Sequence, residues 1–200
     1  MMTQTLAKPN LLEEEELVFQ RETPLLTGED LFAMGETEWT ELVAGKLLSL
    51  PPTGYEHGQI EAQVGVMLDQ FVKQQQLGQV FIGATGIYTH RQPDTVRGAD
   101  VAYVSNARLA QIKSQSYLDV APELIVEILS PDDRWHDVMD KLEEYFAIGV
   151  RMVWVADPKR QQIFVYSAPT TVERLTRHDR LTGGAVLPGF QVAVAEIFAA

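Results

Sequence analysis

The chain has 200 residues, of which 46% are hydrophobic and 22% charged, with a formal net charge of −12 and no cysteine. Such a composition suits a globular protein with a substantial core, and it excludes disulfides, thiolate zinc sites and a cysteine nucleophile. The charge argues against a broad basic face that coats nucleic acid, yet leaves room for a local cleft where a divalent cation and a few basic side chains meet phosphate. No basic-then-apolar leader opens the chain and no apolar run approaches the ~20 residues of a membrane span, so the expectation is a cytoplasmic protein with no membrane partner.

Residues 1–26 contain Glu13 to Glu16 and no persuasive period, and read as a mobile N-terminal arm before a single domain over 27–200. A short helix is expected over 27–35, capped by Thr27 or Gly28. A hairpin follows, 41–43 and 46–50 flanking Ala44-Gly45, and Pro51-Pro52 breaks the chain. The spacing of Ile60, Val64, Leu68, Phe71 and Val72 predicts a helix over 55–77, ended by Gly78, with His57 near its start. Two short strands, 79–85 and 86–90, a polar loop over 91–98 and a buried strand over 99–104 come next, with Asp100 at the head of that strand. Further strands are expected over 151–156, 162–166 and 172–176, with a turn at Gly183-Gly184.

The most informative stretch is 122–141. Leu124 to Leu129 form an apolar run bounded by Pro122 and Pro131, which reads as a strand buried on both faces. Glu127 shares one face with Ile125 and Leu129, where an unpaired charge would be costly or would be neutralised by a proton. It needs a cation or a metal. A helix is expected over 134–148, striped by Val138, Leu142, Tyr145 and Phe146 and closed by Gly149, with Asp140, Glu143 and Glu144 on its wet side. Lys141 falls at the edge of the apolar stripe instead, either as a snorkelling side chain or as the missing cation.

The element order suits an α/β layer: a central mixed β-sheet flanked by helices, with β-hairpins added at the N- and C-terminal ends. No phosphate loop, dinucleotide fingerprint, nucleophile elbow or H-x-x-x-H motif is present, so the candidate ligands are read as oxygen donors suited to magnesium or manganese. Asp100, Glu127 and Lys141 then combine as two metal-holding carboxylates and a cation for water or phosphate.

The segments ELVAGKLLSLPP, EHGQI, ADVAYV, APELIVEILSP, DKLEEYFAIGVRMVWVADP and LPGF together resemble the PD-(D/E)xK nuclease superfamily, and within it the Uma-type branch of restriction endonuclease-like proteins. The resemblance spans 27–198. It implies a restriction-endonuclease-like core and a Mg- or Mn-dependent endonuclease that hydrolyses DNA, working as a homodimer. Asp100 and Glu127 match the metal-binding acids, and Lys141 the catalytic lysine supplied from the following helix. Leu129 stands where the superfamily usually has that lysine, and Ala99 where its name has proline. His57 and Glu41 match accessory positions. Two alternatives stand beside this reading: a catalytically inactive nuclease-fold module for binding or regulation, and a purely structural Glu127–Lys141 ion pair.

Overall fold

The branched aliphatic runs around residues 101, 125 and 154 lie side by side at the centre of one sheet, which is why they carry so few polar side chains. The computed structural model describes residues 24–35, 40–131 and 133–199; the first 23 residues of the expected arm lie outside them. The first half of the chain gives α1 (Gly28–Ala33), β1 (Thr40–Val43), β2 (Lys46–Ser49), α2 (Tyr55–Gln74), β3 (Gly78–His90), β4 (Thr95–Ser105) and α3 (Asn106–Leu109). The second half gives β5 (Leu124–Ile128), α4 (Trp135–Ile148), β6 (Met152–Asp157), β7 (Gln162–Ala168), β8 (Thr171–Thr176), β9 (Arg180–Gly183), β10 (Leu187–Ala193) and α5 (Val194–Ile197).

Eight strands form the main sheet in the order β2-β1-β4-β5-β6-β7-β8, with β3 paired along β4, and β9 and β10 make a separate hairpin. Only β5 and β6 run parallel among the paired strands described; α4 is their crossover, as parallel neighbours require. The expected mixed sheet flanked by helices is therefore the observed architecture. One face packs against α2, the β9–β10 hairpin and α5 through residues such as Val101, Val126, Trp154 and Ile163. The other packs against α4 through Ala102, Ile125, Val153, Val155 and Tyr166.

Two elements differ from the sequence reading in ways that shape the site. The strands expected over 79–85 and 86–90 are one 13-residue strand, β3, with a bulge between Ile82 and Thr85 where Gly83 and Ala84 take positive φ. β4 begins at Thr95, so Asp100 lies in mid-strand rather than at a strand head. The polar-looking Arg97-Gly98 hid this continuation, because Arg97 is buried and its charge is neutralised inside the fold.

Opposite the bulge, the phase of β4 slips. Arg97 and Ala99 belong to the side covered by α4, and so do Ala102 and Val104. Asp100 sits at the changeover. On its free edge β4 also serves two partners in succession, β1 at Val96 and β5 from Val101 to Tyr103. The strands β1 and β5 thus part around residues 97–100 and leave a fork.

Helix α4 stops where Gly149 adopts the left-handed conformation (φ 100°, ψ 23°). A Cβ there would meet nothing within 4 Å, so the requirement is one of backbone conformation alone. Gly149→Ala should therefore destabilise the fold by about 1 kcal/mol, read as a lower urea midpoint at unchanged slope.

Candidate active site

At the fork, backbone donors have no strand partner and carboxylates take the strand's place. The amide of Gly98 donates to Glu41 Oε1 (3.0 Å), and that of Ile128 donates to Asp100 Oδ2 (2.7 Å). Burying those donors unpaired would cost about 1–3 kcal/mol each, so the two acids are fixed by the break in the sheet itself. Glu127 projects from the end of β5 beneath α4, where the hydroxyl of Tyr145 donates to its Oε1 (2.6 Å). Lys141, one turn earlier on α4, places Nζ 2.8 Å from Glu41 Oε1 and 3.7 Å from Glu127 Oε2. From the other side, the first turn of α2 brings His57 Nε2 to 3.2 Å from Asp100 Oδ2, with Glu61 one turn on at 3.9 Å from His57 Nδ1.

All five residues singled out in the sequence (Glu41, His57, Asp100, Glu127 and Lys141) thus meet in one region built by β1, α2, β4, β5 and α4. This geometry can be set beside known proteins. The model of the Uma2 family, described as "Putative restriction endonuclease", matches residues 29–195. The chain belongs to the Uma2 family. Its fold is similar to that of a "putative nuclease belonging to DUF820" from Anabaena variabilis ATCC 29413, at a TM-score of 0.73 and 21% identity over 86% of this chain and 97% of that one. Among curated proteins no relative matches.

The Uma2 chain concentrates more negative than positive charge at this place. Among the described residues, Glu41, Glu61, Asp100, Glu127 and Glu144 gather around two permanent cations, Lys141 and Arg97. Burial, with Asp100 and Glu41 nearby, pushes the Glu127 carboxyl up to about 7 against the pull of Lys141 and Tyr145. Burial and the Asp100 charge also raise Glu61. Burial works against a charge on Lys141, but Glu127 and Glu41 outweigh it and hold the ammonium above its ordinary range. Burial likewise opposes protonation of His57, and Asp100 with the other acids overcomes it, raising the imidazole. Glu41 is held low instead: Lys141 and Arg97 outweigh its burial.

A divalent cation fits this donor set. One ligand atom each from His57, Glu61 and Asp100 lies within 4.8 Å of the others. His57 is 7% exposed, and its Nδ1 has no hydrogen-bond partner among the described residues, an orphaned buried nitrogen of the kind a ligand satisfies. The cluster adds an imidazole to the oxygen donors expected from sequence, because the first turn of α2 reaches Asp100. The signal was there as His57 and Glu61 at i, i+4, which face the same way on a helix.

Two further residues escaped the sequence reading. Arg97, placed in an expected loop, donates to Glu41 Oε2 (3.0 Å) and through Nε to Glu144 Oε2 (2.8 Å). Glu144, expected on the wet side of its helix, also accepts from Thr89 (2.8 Å). Together they clamp α4 to β3 and β4 and fix the Glu41 carboxylate against which Lys141 rests. Lys141 pairs with Glu41 at 2.8 Å and with Glu127 at 3.7 Å, so a structural ion pair at this place takes in both acids.

The raised Glu127 carboxyl has a sign that can be checked. In metal-free protein the folded state keeps a proton that the unfolded chain has released, so stability should fall as pH rises from 4.5 to about 7. Glu127→Gln should remove that component and be more stable than wild type at pH 8 by about 1–3 kcal/mol. Urea unfolding at pH 5 and pH 8 reads it; an unchanged pH dependence would contradict it.

Proposed function

We propose that the chain is a divalent-metal-dependent nuclease that hydrolyses phosphodiester bonds in DNA. The observation that carries the reading is the meeting of Asp100, Glu127 and Lys141 at the sheet fork, amid more carboxylates than the protein's own cations balance. Asp100 and Glu127 would hold the cation, Mg²⁺ or Mn²⁺, with His57 and Glu61 completing its donors. When bound, that cation supplies charge neutralisation for the phosphate and lowers the pKa of an attacking water.

The chain's own residues have separable parts in this reading. Lys141 stays protonated through neutral pH because its acids outweigh its burial, so it acts as a fixed positive charge on a phosphate oxygen or on the attacking water, not as a base. Glu41 and Arg97 are positioning residues: they hold the ammonium without reaching the reacting atoms. Tyr145 orients Glu127 by its hydroxyl.

The alternative of a catalytically silent nuclease fold that only binds is favoured by one observation, the net charge of −12. Supercoiled plasmid, incubated with Mg²⁺ and with Mn²⁺, separates the two. Wild type should nick or linearise it only with metal, and Lys141→Ala and Asp100→Ala should each slow cleavage about 100-fold or more. No metal-dependent cleavage of any nucleic acid by wild type would sink the enzymatic reading.

A further inference from the structure

The line of side chains that begins at Glu127 continues across the sheet. Register sets Glu127 beside Val155, Val155 beside Phe164, and Phe164 beside Arg174. Residues directly opposite one another share a face, so this whole row lies on the side that α4 covers. The cover runs out along it: Val155 is buried, Phe164 is half-buried and Arg174 is exposed. Where α4 begins, the ring of Trp135 meets Phe164 edge-on (centroids 5.8 Å apart, planes at 65°) and remains 48% exposed. Among the described residues no carboxylate pairs with Arg174, although the chain carries 28 acids against 16 basic residues. An indole and an uncompensated guanidinium thus flank one phenyl ring on an open shelf.

Through the sheet, this row runs from the shelf to Glu127 of the candidate active site. A cavity of about 60 Å³ beside Glu127 is lined also by Lys141, Val138, Asp133 and Asp137. Three strand spacings of about 4.8 Å put Arg174 roughly 14 Å from Glu127, a span of a few nucleotides.

The geometry points to a nucleotide-holding subsite in which Trp135 stacks on an unpaired base and Arg174 takes a phosphate of the same strand. An exposed aromatic face beside a cation is the pairing by which single strands are held without regard to sequence. A base inside a duplex has no free face to offer, so the substrate class is single-stranded or locally unpaired nucleic acid. The subsite takes its meaning from the nuclease reading, but binding at it does not require cleavage.

The test is fluorescence anisotropy of a labelled oligonucleotide, single-stranded and duplex, with chelator present and KCl varied. Wild type should bind the single strand more tightly. Trp135→Ala should weaken that binding roughly 5- to 100-fold, with partial recovery in Trp135→Phe, while leaving duplex affinity nearly unchanged. Arg174→Ala should lower the slope of log affinity against log salt by about 0.7. Both side chains are exposed, so thermal unfolding should stay close to wild type; if Trp135→Ala fails to fold, Trp135→Phe and Arg174→Ala carry the test. No measurable single-strand binding, a preference for duplex, or wild-type affinity in these variants would overturn the subsite. Plasmid cleavage with unaltered binding in the variants would overturn it alone, whereas Trp135-dependent binding without cleavage would overturn only the nuclease reading.

Discussion

Everything at the candidate site follows from β4 having to serve β1 and β5 along one edge. A sheet that divides leaves amides with nowhere to donate, and here carboxylates from Glu41 and Asp100 receive them. Those acids are therefore fixed by the fold, and in the proposed reading Asp100 is a metal ligand and Glu41 a positioning residue. They are held by backbone that cannot move without breaking the sheet, which is the rigidity a site needs if its charges are to stay aimed in the absence of ligand. The bulge in β3 serves the same end by shifting the phase of β4, so that Asp100 reaches α2 while Glu127 reaches α4.

The arrangement stores electrostatic tension. Arg97 neutralises Glu41 and Glu144 and lies among the most buried charges of the protein, so that side of the fork is balanced. The side formed by His57, Glu61, Asp100 and Glu127 is not, and there His57, Glu61 and Glu127 are each raised above their ordinary values. A core arranged for stability alone would replace such a cluster with apolar side chains. Retaining it makes sense when a divalent cation offsets the repulsion and a phosphate uses the charge of Lys141.

Much of this was readable from the chain. The apolar run around Glu127 implied a buried strand with a charge in need of a partner, and the position of Lys141 beside the stripe of α4 named one. Helix α4 ends at Gly149 as its sequence implies, whereas α2 ends earlier than expected, at Gln74, with Gln76 taking the positive φ and Gly78 opening β3. What escaped was set by contacts distant in sequence. Arg97 reads as loop because a guanidinium is costly to bury, and only Glu41 and Glu144, 56 and 47 residues away, make its strand position tolerable. Glu144 looks like a wet-face residue on a helical wheel, which knows nothing of β3 and β4 beneath it. The role of His57 depends on where α2 crosses the fork, and no local pattern encodes a crossing. Family membership, by contrast, rests on motifs spread over most of the chain, which is why the resemblance could be seen before the geometry.

The central claim is that the unbalanced carboxylates hold a divalent cation between α2 and the end of β5. Crystals soaked in Mn²⁺ and measured on both sides of the manganese absorption edge test it most directly. The account predicts an anomalous peak bonded to Asp100, with His57, Glu61 or Glu127 among its other ligands. A map with no peak within bonding distance of Asp100, or with manganese only on surface acids elsewhere, would contradict it.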